Sequence, residues 1–414
     1  MITPGYSPTA TERVLPRMAL DFTTASLDAR VTVTRALNTA TAINSSGYIQ
    51  VVNANLPRFD FNPITLACRG LLIEESRANL LLQSADFSSA SWIKNNGAIT
   101  PDATTSPDGT SNADAFIENT TPSVTHDLSQ AQNVTTGTAY TATVYIKPIG
   151  SRSIMLILSG AAFSESRTWF NLSTLVPTTT FGSVTAASVA AVGNGWYRCT
   201  VTQTSIATAS ATVAYRLWNG SAASYTGDGT SGIYYYGSQL EAGAFATSYI
   251  PTTTTSLTRN ADVVSMTGTN FSSWYNASEG SFVVVADTAK PTSLASSVFI
   301  LSADDGTTAN RISMRYLTGN AEELVQVSSA VSAQLQKTYV ANTAERFAMA
   351  YKLDSFAFAA NGTAVVTDLL GGLPTVNQLC IGSTASLVQL NGHIGKLMYW
   401  PQRLTNAETQ AFSK

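Results

Sequence analysis

RGLLIEESRANLLLQS, residues 69–84, is the densest apolar block of the chain, broken in its middle by Glu74, Glu75, Ser76 and Arg77. Two short apolar runs around a polar centre read as a buried strand, a turn and a second buried strand. Before the block the chain is rich in Thr and punctuated by Pro. After it come two long series of alternating segments. At 414 residues the chain exceeds one ordinary core, so several β units are expected.

Upstream, residues 1–20 carry Pro4, Pro8 and Pro16 without periodicity and read as an extended attachment arm. Residues 21–78 hold short strand candidates at 30–35 and 48–52 around the turn Asn44-Ser45-Ser46-Gly47, and read as a small β collar. Downstream, residues 79–250 alternate clearly. YTATVYIKP, residues 140–148, puts Tyr140, Ala142, Val144 and Ile146 on one face and Thr141, Thr143, Tyr145 and Lys147 on the other. Residues 197–203 and 211–218 repeat the pattern, with turns at Asp108-Gly109, Asn194-Gly195, Asn219-Gly220 and Asp228-Gly229. That is the pattern of an antiparallel jelly roll or sandwich. PTTTTS, residues 251–256, reads as a linker. Residues 257–414 give a further strand series with hairpins at Asn361-Gly362 and Asn391-Gly392, and Thr405 with Glu408 forms a capping box for a helix over 406–412. The predicted fold class is all-β with one short C-terminal helix.

PRFDFNPITLACRGLLIEESRANLLLQSADFSSASWIK, with Pro107-Asp108-Gly109-Thr110, GNGWYR at 193–198, QLEAG at 239–243 and TSYIPT at 247–252, resembles a module of tailed-bacteriophage surface proteins: head spikes, head fibres and tail fibres. Through SPDGTSNAD the first sandwich resembles carbohydrate-binding jelly rolls. The second resembles laminin-G/concanavalin-A-like domains through its Asn361-Gly362 hairpin and the ending GHIGKLMYWPQRLTNAETQAF. These resemblances imply a virion structural protein that projects from the particle and binds host-surface polysaccharide without cleaving it. Its arm would engage capsid or tail proteins. A decoration protein without glycan binding is the alternative within that class, and a capsule depolymerase the alternative outside it. Asp102, Asp108, Asp114 and Glu241 fall where such jelly rolls hold a structural calcium ion, the one cofactor the resemblance suggests.

Composition narrows the chemistry. Charged residues make up 12% of the chain and the net charge is −3, so there is no basic field for nucleic acid. No apolar run reaches a membrane span, and the first residues lack a signal-peptide core, which implies assembly in the host cytoplasm before display on the virion surface. Cys68, Cys199 and Cys380 are too dispersed for a disulfide framework or a zinc site. Of the two histidines, His393 follows a turn and reads as a partly exposed structural residue. The adjacent acids Glu74/Glu75, Asp304/Asp305 and Glu322/Glu323 are poor glycosidase pairs, since neighbours on a strand point to opposite faces. The chain therefore reads as a binding protein and not an enzyme.

The expected glycan site starts from Trp218. On the strand ending there, Ala211, Val213, Tyr215 and Leu217 point inward and leave Trp218 outward, with Tyr225 and Asp228 in the following loop. A flat ring beside amide and carboxylate groups suits a sugar face. Trp274, Asp304, Asp305 and Asn310 form a weaker counterpart in the second sandwich, while Trp92, Trp169, Trp196 and Trp400 read as core. The apolar pairs at 71–73 and 80–82 exceed what a small collar can bury, which predicts a homotrimer around residues 21–84.

Overall fold

The computed structural model describes residues 15–37, 39–385 and 388–414. Two β-sandwiches account for nearly all of them, and every strand pair is antiparallel. The first sandwich packs two six-stranded sheets, with strands running from Ile93–Asn95 to Gly232–Ala242. Alternation in Ala139–Ile149 sends Tyr140, Ala142, Val144 and Ile146 into the core, against Leu156, Leu158, Val213 and Tyr215 of the opposite sheet. The other face of that strand is covered as well. There Tyr145 packs with Trp196, Tyr236, Tyr249 and Ile49, so a strand that reads as half-exposed is buried on both sides.

The second sandwich joins an eight-stranded and a seven-stranded sheet, and here the chain order matters. Cys68–Ile73 lies between Phe59–Phe61 and Gly392–Trp400, with Leu71 and Ile73 in the common core. Burying each such side chain stabilises by about 1.5–3 kcal/mol. Gly70 takes φ +118, and a Cβ there would run into the Ile394 carbonyl, which is why this strand needs glycine at its crossing point. The C-terminal helix Asn406–Phe412 starts from the Thr405/Glu408 capping box. A second short helix, Thr269–Ser272, has no cap signal in the sequence.

Several expected boundaries change. Met18–Asp21 is a strand paired with Gly392–Trp400, with Met18 and Leu20 in the core, so the arm cannot extend to residue 20. Residues 1–14 lie outside the described residues. The collar over 21–78 is divided. Thr32–Thr34, Phe59–Phe61 and Cys68–Ile73 are built into the second sandwich, and only the hairpin Ala40–Ile43/Ile49–Val52 forms a sheet of its own. That hairpin reaches the first sandwich, where the Ile49 amide donates to the Pro107 carbonyl at 2.9 Å. The block at 71–73 is therefore covered within one chain, which removes the apolar surplus that motivated a trimer. In the linker, Thr252 is buried, its hydroxyl donating to the Leu81 carbonyl at 2.6 Å and its amide to Ser84 Oγ at 2.8 Å. The physical reason is common to all of these. Strand pairing is decided by partners far away in sequence, which local composition does not reveal.

The chain leaves the second sandwich along Arg77–Asn79 and returns along Leu257–Arg259, and these two strands pair. Beside this neck lies a buried ionic network. Arg58 donates to Glu74 Oε2 at 2.7 Å and to Asp262 on both carboxylate oxygens, and Arg35 reaches Asp262 Oδ1 at 2.9 Å. Arg259 lies 3.1 Å from Glu74 Oε2, and Ser248 donates its amide and hydroxyl to Glu74, both at 2.7 Å. Burial alone would raise the Glu74 carboxyl, but Arg259 and Arg58 outweigh it and hold Glu74 far below the usual carboxylate range. Arg58→Met should cost about 3–5 kcal/mol, because it leaves buried carboxylates short of a partner. Urea unfolding would check this, and a loss within ~0.5 kcal/mol would show the network to be dispensable.

Candidate functional site

The strand Ser153–Gly160 carries the first candidate on the outer face of its sheet. Ile154, Leu156 and Leu158 point into the core, so Ser153 and Met155 point out. Trp218 pairs with Ser153 and Trp169 with Met155, which sets the two indoles diagonally on one face. Their ring centroids are 5.9 Å apart at 45°. Both are half-buried, resting near Met155, Ile157 and Ala214, and both indole N–H groups lack a hydrogen-bond partner among the described residues. An open cleft of about 260 Å³ runs past them, with Arg152, Ser153, Asn171 and Ser173 along its sides. Trp169, read as core from its apolar neighbours, is thus the second ring of an outward pair. The register of strands 153–160 and 166–171 decides this, and the sequence alone gives no signal of it.

Tyr225 and Asp228 are placed differently. Tyr225 is buried and its hydroxyl donates to Glu118 Oε2 at 2.6 Å, so it offers no face to a sugar. Arg152 lies over the Tyr225 ring, 5.2 Å from its centroid, and grips Glu118 through Nε at 2.8 Å and Nη2 at 2.6 Å. Asp228 is exposed, touches Arg152 at 3.3 Å and closes its own turn by accepting the Thr230 and Ser231 amides. The Ser231 hydroxyl and amide, with Thr230, hold its carboxyl well below the ordinary range. The two residues therefore buttress Arg152 from behind the cleft.

The counterpart in the second sandwich does not assemble. Trp274 is core, packed edge-on against Phe271, Phe282 and Tyr399, with its N–H on the Asn270 carbonyl at 2.7 Å. Asp304 is buried and accepts from Ser302 and Gln378, while Asp305 accepts from Thr307 and Asn310 within a hairpin turn. The calcium set fails as well. Asp114 accepts the amides of Phe87, Ser88 and Asp102; Asp108 accepts from Ser106, Thr110, Asn112 and Tyr236; and Glu241 accepts from Gln239 and Thr247. Backbone and hydroxyl donors satisfy these carboxylates. Among the described residues, no group of three or more His, Cys, Asp and Glu is arranged to hold a metal ion.

Of the paired acids, all but Glu323 are occupied. Glu75 meets Arg77 and Asn391, and Glu322 holds Arg315, Gln334 and Gln336. Glu323 is fully buried with neither oxygen hydrogen-bonded, and burial pushes its carboxyl well above the usual range.

His393 is the titratable group that sequence reasoning misjudged. It is buried, not partly exposed, and stands between two acids, with Nδ1 at 2.9 Å from Asp287 and Nε2 at 3.0 Å from Asp60. Asp60 and His393 sit on the two strands flanking Cys68–Ile73, paired with Gly70 and Leu72 on one face, so the contact bridges the central strand. Arg69 holds the far oxygen of Asp287 at 2.9 Å. Among the described residues the imidazole's hydrogen-bond partners are these two carboxylates, so the cluster acts as a clamp between strands.

In comparisons with known proteins, no family profile matches the chain and no curated protein matches it by sequence. Among solved structures, the chain is similar to the CBM40 of Ruminococcus gnavus IT-sialidase bound to α2,3-sialyllactose. The identity is 14% and the TM-score 0.29, over 34% of this chain and 84% of that one. It is also similar to the receptor-binding domain of botulinum neurotoxin C/D mosaic serotype, at 12% identity and a TM-score of 0.29, over 36% of this chain and 40% of that one. The botulinum neurotoxin serotype D binding domain matches at 14% and 0.30, with the same shares covered. The chain thus spans about two fifths of the neurotoxin domains it matches. None of these is a virion component.

The clamp makes stability depend on pH. Burial would lower the His393 imidazole, but Asp287 and Asp60 outweigh it and push it up to about 9. An unfolded histidine titrates near ~6.5, so the clamp's contribution is complete below about pH 6.5 and is lost as pH rises through the folded value. The gap corresponds to on the order of 3 kcal/mol. Urea midpoints measured between about pH 6 and about pH 9.5 should fall in the native chain and fall less in His393→Gln. Parallel slopes in the two would place the titration elsewhere.

Proposed function

We propose that this protein is a non-catalytic glycan-binding protein of a bacteriophage virion surface, a head spike, head fibre or tail fibre. The observation that carries the binding role is the outward Trp169/Trp218 pair in a cleft flanked by Arg152 and Asn171. Two adjacent indole faces suit the apolar C–H face of a pyranose, and the flanking polar groups can direct its hydroxyls. The absence of a facing, unengaged pair of acids among the described residues favours binding over hydrolysis. The virion setting rests on the resemblance of the motifs at 58–92, 193–198, 239–243 and 247–252.

A shallow aromatic site binds weakly. One ring contributes about 0.5–1.5 kcal/mol beyond its buried area, and a millimolar contact is worth about −4 kcal/mol. Repetition over many copies can raise avidity by about 10²–10⁴. Self-association, with a trimer as the working number, is therefore part of the proposal. Leu37, Val51, Leu56, Ile64 and Leu66 are exposed over one stretch of the chain and supply apolar surface for it. Attachment to capsid or tail is assigned to the segment that precedes the strand Met18–Asp21.

The test is retention of the full chain on host-surface polysaccharide, followed together with release of reducing ends. Trp218→Ala should lower retention at least about tenfold, and Trp218→Phe, which keeps a ring on Trp169, only severalfold, with no reducing ends released by any form; a tenfold loss is about 1.4 kcal/mol. Undiminished retention by Trp218→Ala would move the site off this cleft, and reducing-end release would make the protein a depolymerase.

A further inference from the structure

A larger cleft, of about 410 Å³, opens between the two sandwiches. One wall comes from residues 41–72 and the His393 clamp, the other from the edge strand Ala186–Ala191 and its neighbour Tyr197–Thr204. Charge is distributed unevenly across it. On the clamp side both acids are saturated: Asp60 accepts the Ile43 amide at 2.7 Å and His393 at 3.0 Å, and Asp287 accepts His393 and Arg69. Glu74, at the floor, is already neutralised by Arg58 and Arg259.

Arg198, on the opposite wall, has no such partner. Its Nη2 donates to the Thr247 carbonyl at 2.6 Å and its guanidinium lies 5.4 Å from the Tyr145 centroid. Nη2 also meets the Thr143 hydroxyl at 3.4 Å and Nε is enclosed by protein, which leaves Nη1 toward the cleft, and among the described residues no carboxylate pairs with the group. A guanidinium that lines a cleft with one end unpaired attracts an anion, and a carboxylate can accept from its Nη1. Across the cleft, Ile43, Phe61 and Pro63 give an apolar surface, and Asn342 lines the same space. The volume lies at the lower end of the range for small-ligand sites, about 300–1,000 Å³.

We propose that the inter-sandwich cleft binds a hexuronate residue, its carboxylate on Arg198 and its sugar ring against Ile43 and Phe61. The inference rests on the glycan reading above for the sugar ring, and adds a second site with a stated preference for acidic units. Ala190 pairs directly with Arg198 on the exposed edge strand, so a large side chain there would cover the guanidinium without removing a polar group.

The experiment is ligand-observed NMR titration of the full chain with glucuronate, glucose and acetate as separate probes. Glucuronate should bind at about millimolar affinity, with glucose and acetate each at least about tenfold weaker. Arg198→Gln and Ala190→Trp should each weaken glucuronate at least about tenfold. Glucuronate binding that survives Ala190→Trp, or no binding by the native chain, overturns the assignment. Acetate binding as well as glucuronate overturns the sugar part and leaves an anion site. Polysaccharide retention that survives Trp218→Ala, with glucuronate binding intact, would refute the aromatic-cleft reading and uphold this one.

Discussion

Arg58 holds two carboxylates at once, Glu74 sixteen residues away and Asp262 at a separation of 204, and the arrangement of the molecule depends on that contact. The first sandwich lies between those two acids in the sequence, so both ends of its insertion are clasped by one guanidinium. Buried ion pairs are seldom a source of net stability, because desolvation offsets most of the attraction. What they supply here is position. A slip of the neck strands Arg77–Asn79 and Leu257–Arg259 would leave up to three arginines and two acids unpaired in a dry environment, whereas an apolar neck would tolerate several registers.

The same network explains the company kept by the motif residues. Glu74 receives Ser248 of the TSYIPT segment, Thr247 in that segment bonds Glu241 of QLEAG, and Arg198 of GNGWYR donates to the Thr247 carbonyl. Segments spread over nearly two hundred residues therefore converge on one joint. Their first role is structural, and the outward indoles Trp169 and Trp218 lie outside them.

The joint also leaves space. Because the two sandwiches touch through the hairpin 40–52 and the neck, a cleft remains between them whose walls belong to different units. The His393 clamp stiffens one wall by tying three adjacent strands together, and Arg198 stands on the other. A ligand held there would bridge both sandwiches and couple binding to their relative placement.

Much of this was legible in the sequence. Period-two alternation marked Ala139–Ile149 and Ala209–Trp218, Asn194-Gly195 and Asn361-Gly362 marked hairpins, and the Thr405/Glu408 box marked the helix, because each is a local property of backbone and side chain; Asn391-Gly392, expected to close a hairpin, instead leads from Gln378–Ile381 into a strand of the other sheet. The outward placement of Trp218 followed from the same alternation. Pairing was not legible. That Met18–Asp21 and Cys68–Ile73 share one edge of Gly392–Trp400, that Trp169 stands diagonal to Trp218, and that His393 lies between Asp60 and Asp287 are consequences of register between distant strands. Alternation states which side of a strand is buried. Which strand lies beside it is decided by the tertiary structure, because hydrogen-bonding edges are chemically alike and only the packing and charge pairing of the finished fold tell them apart.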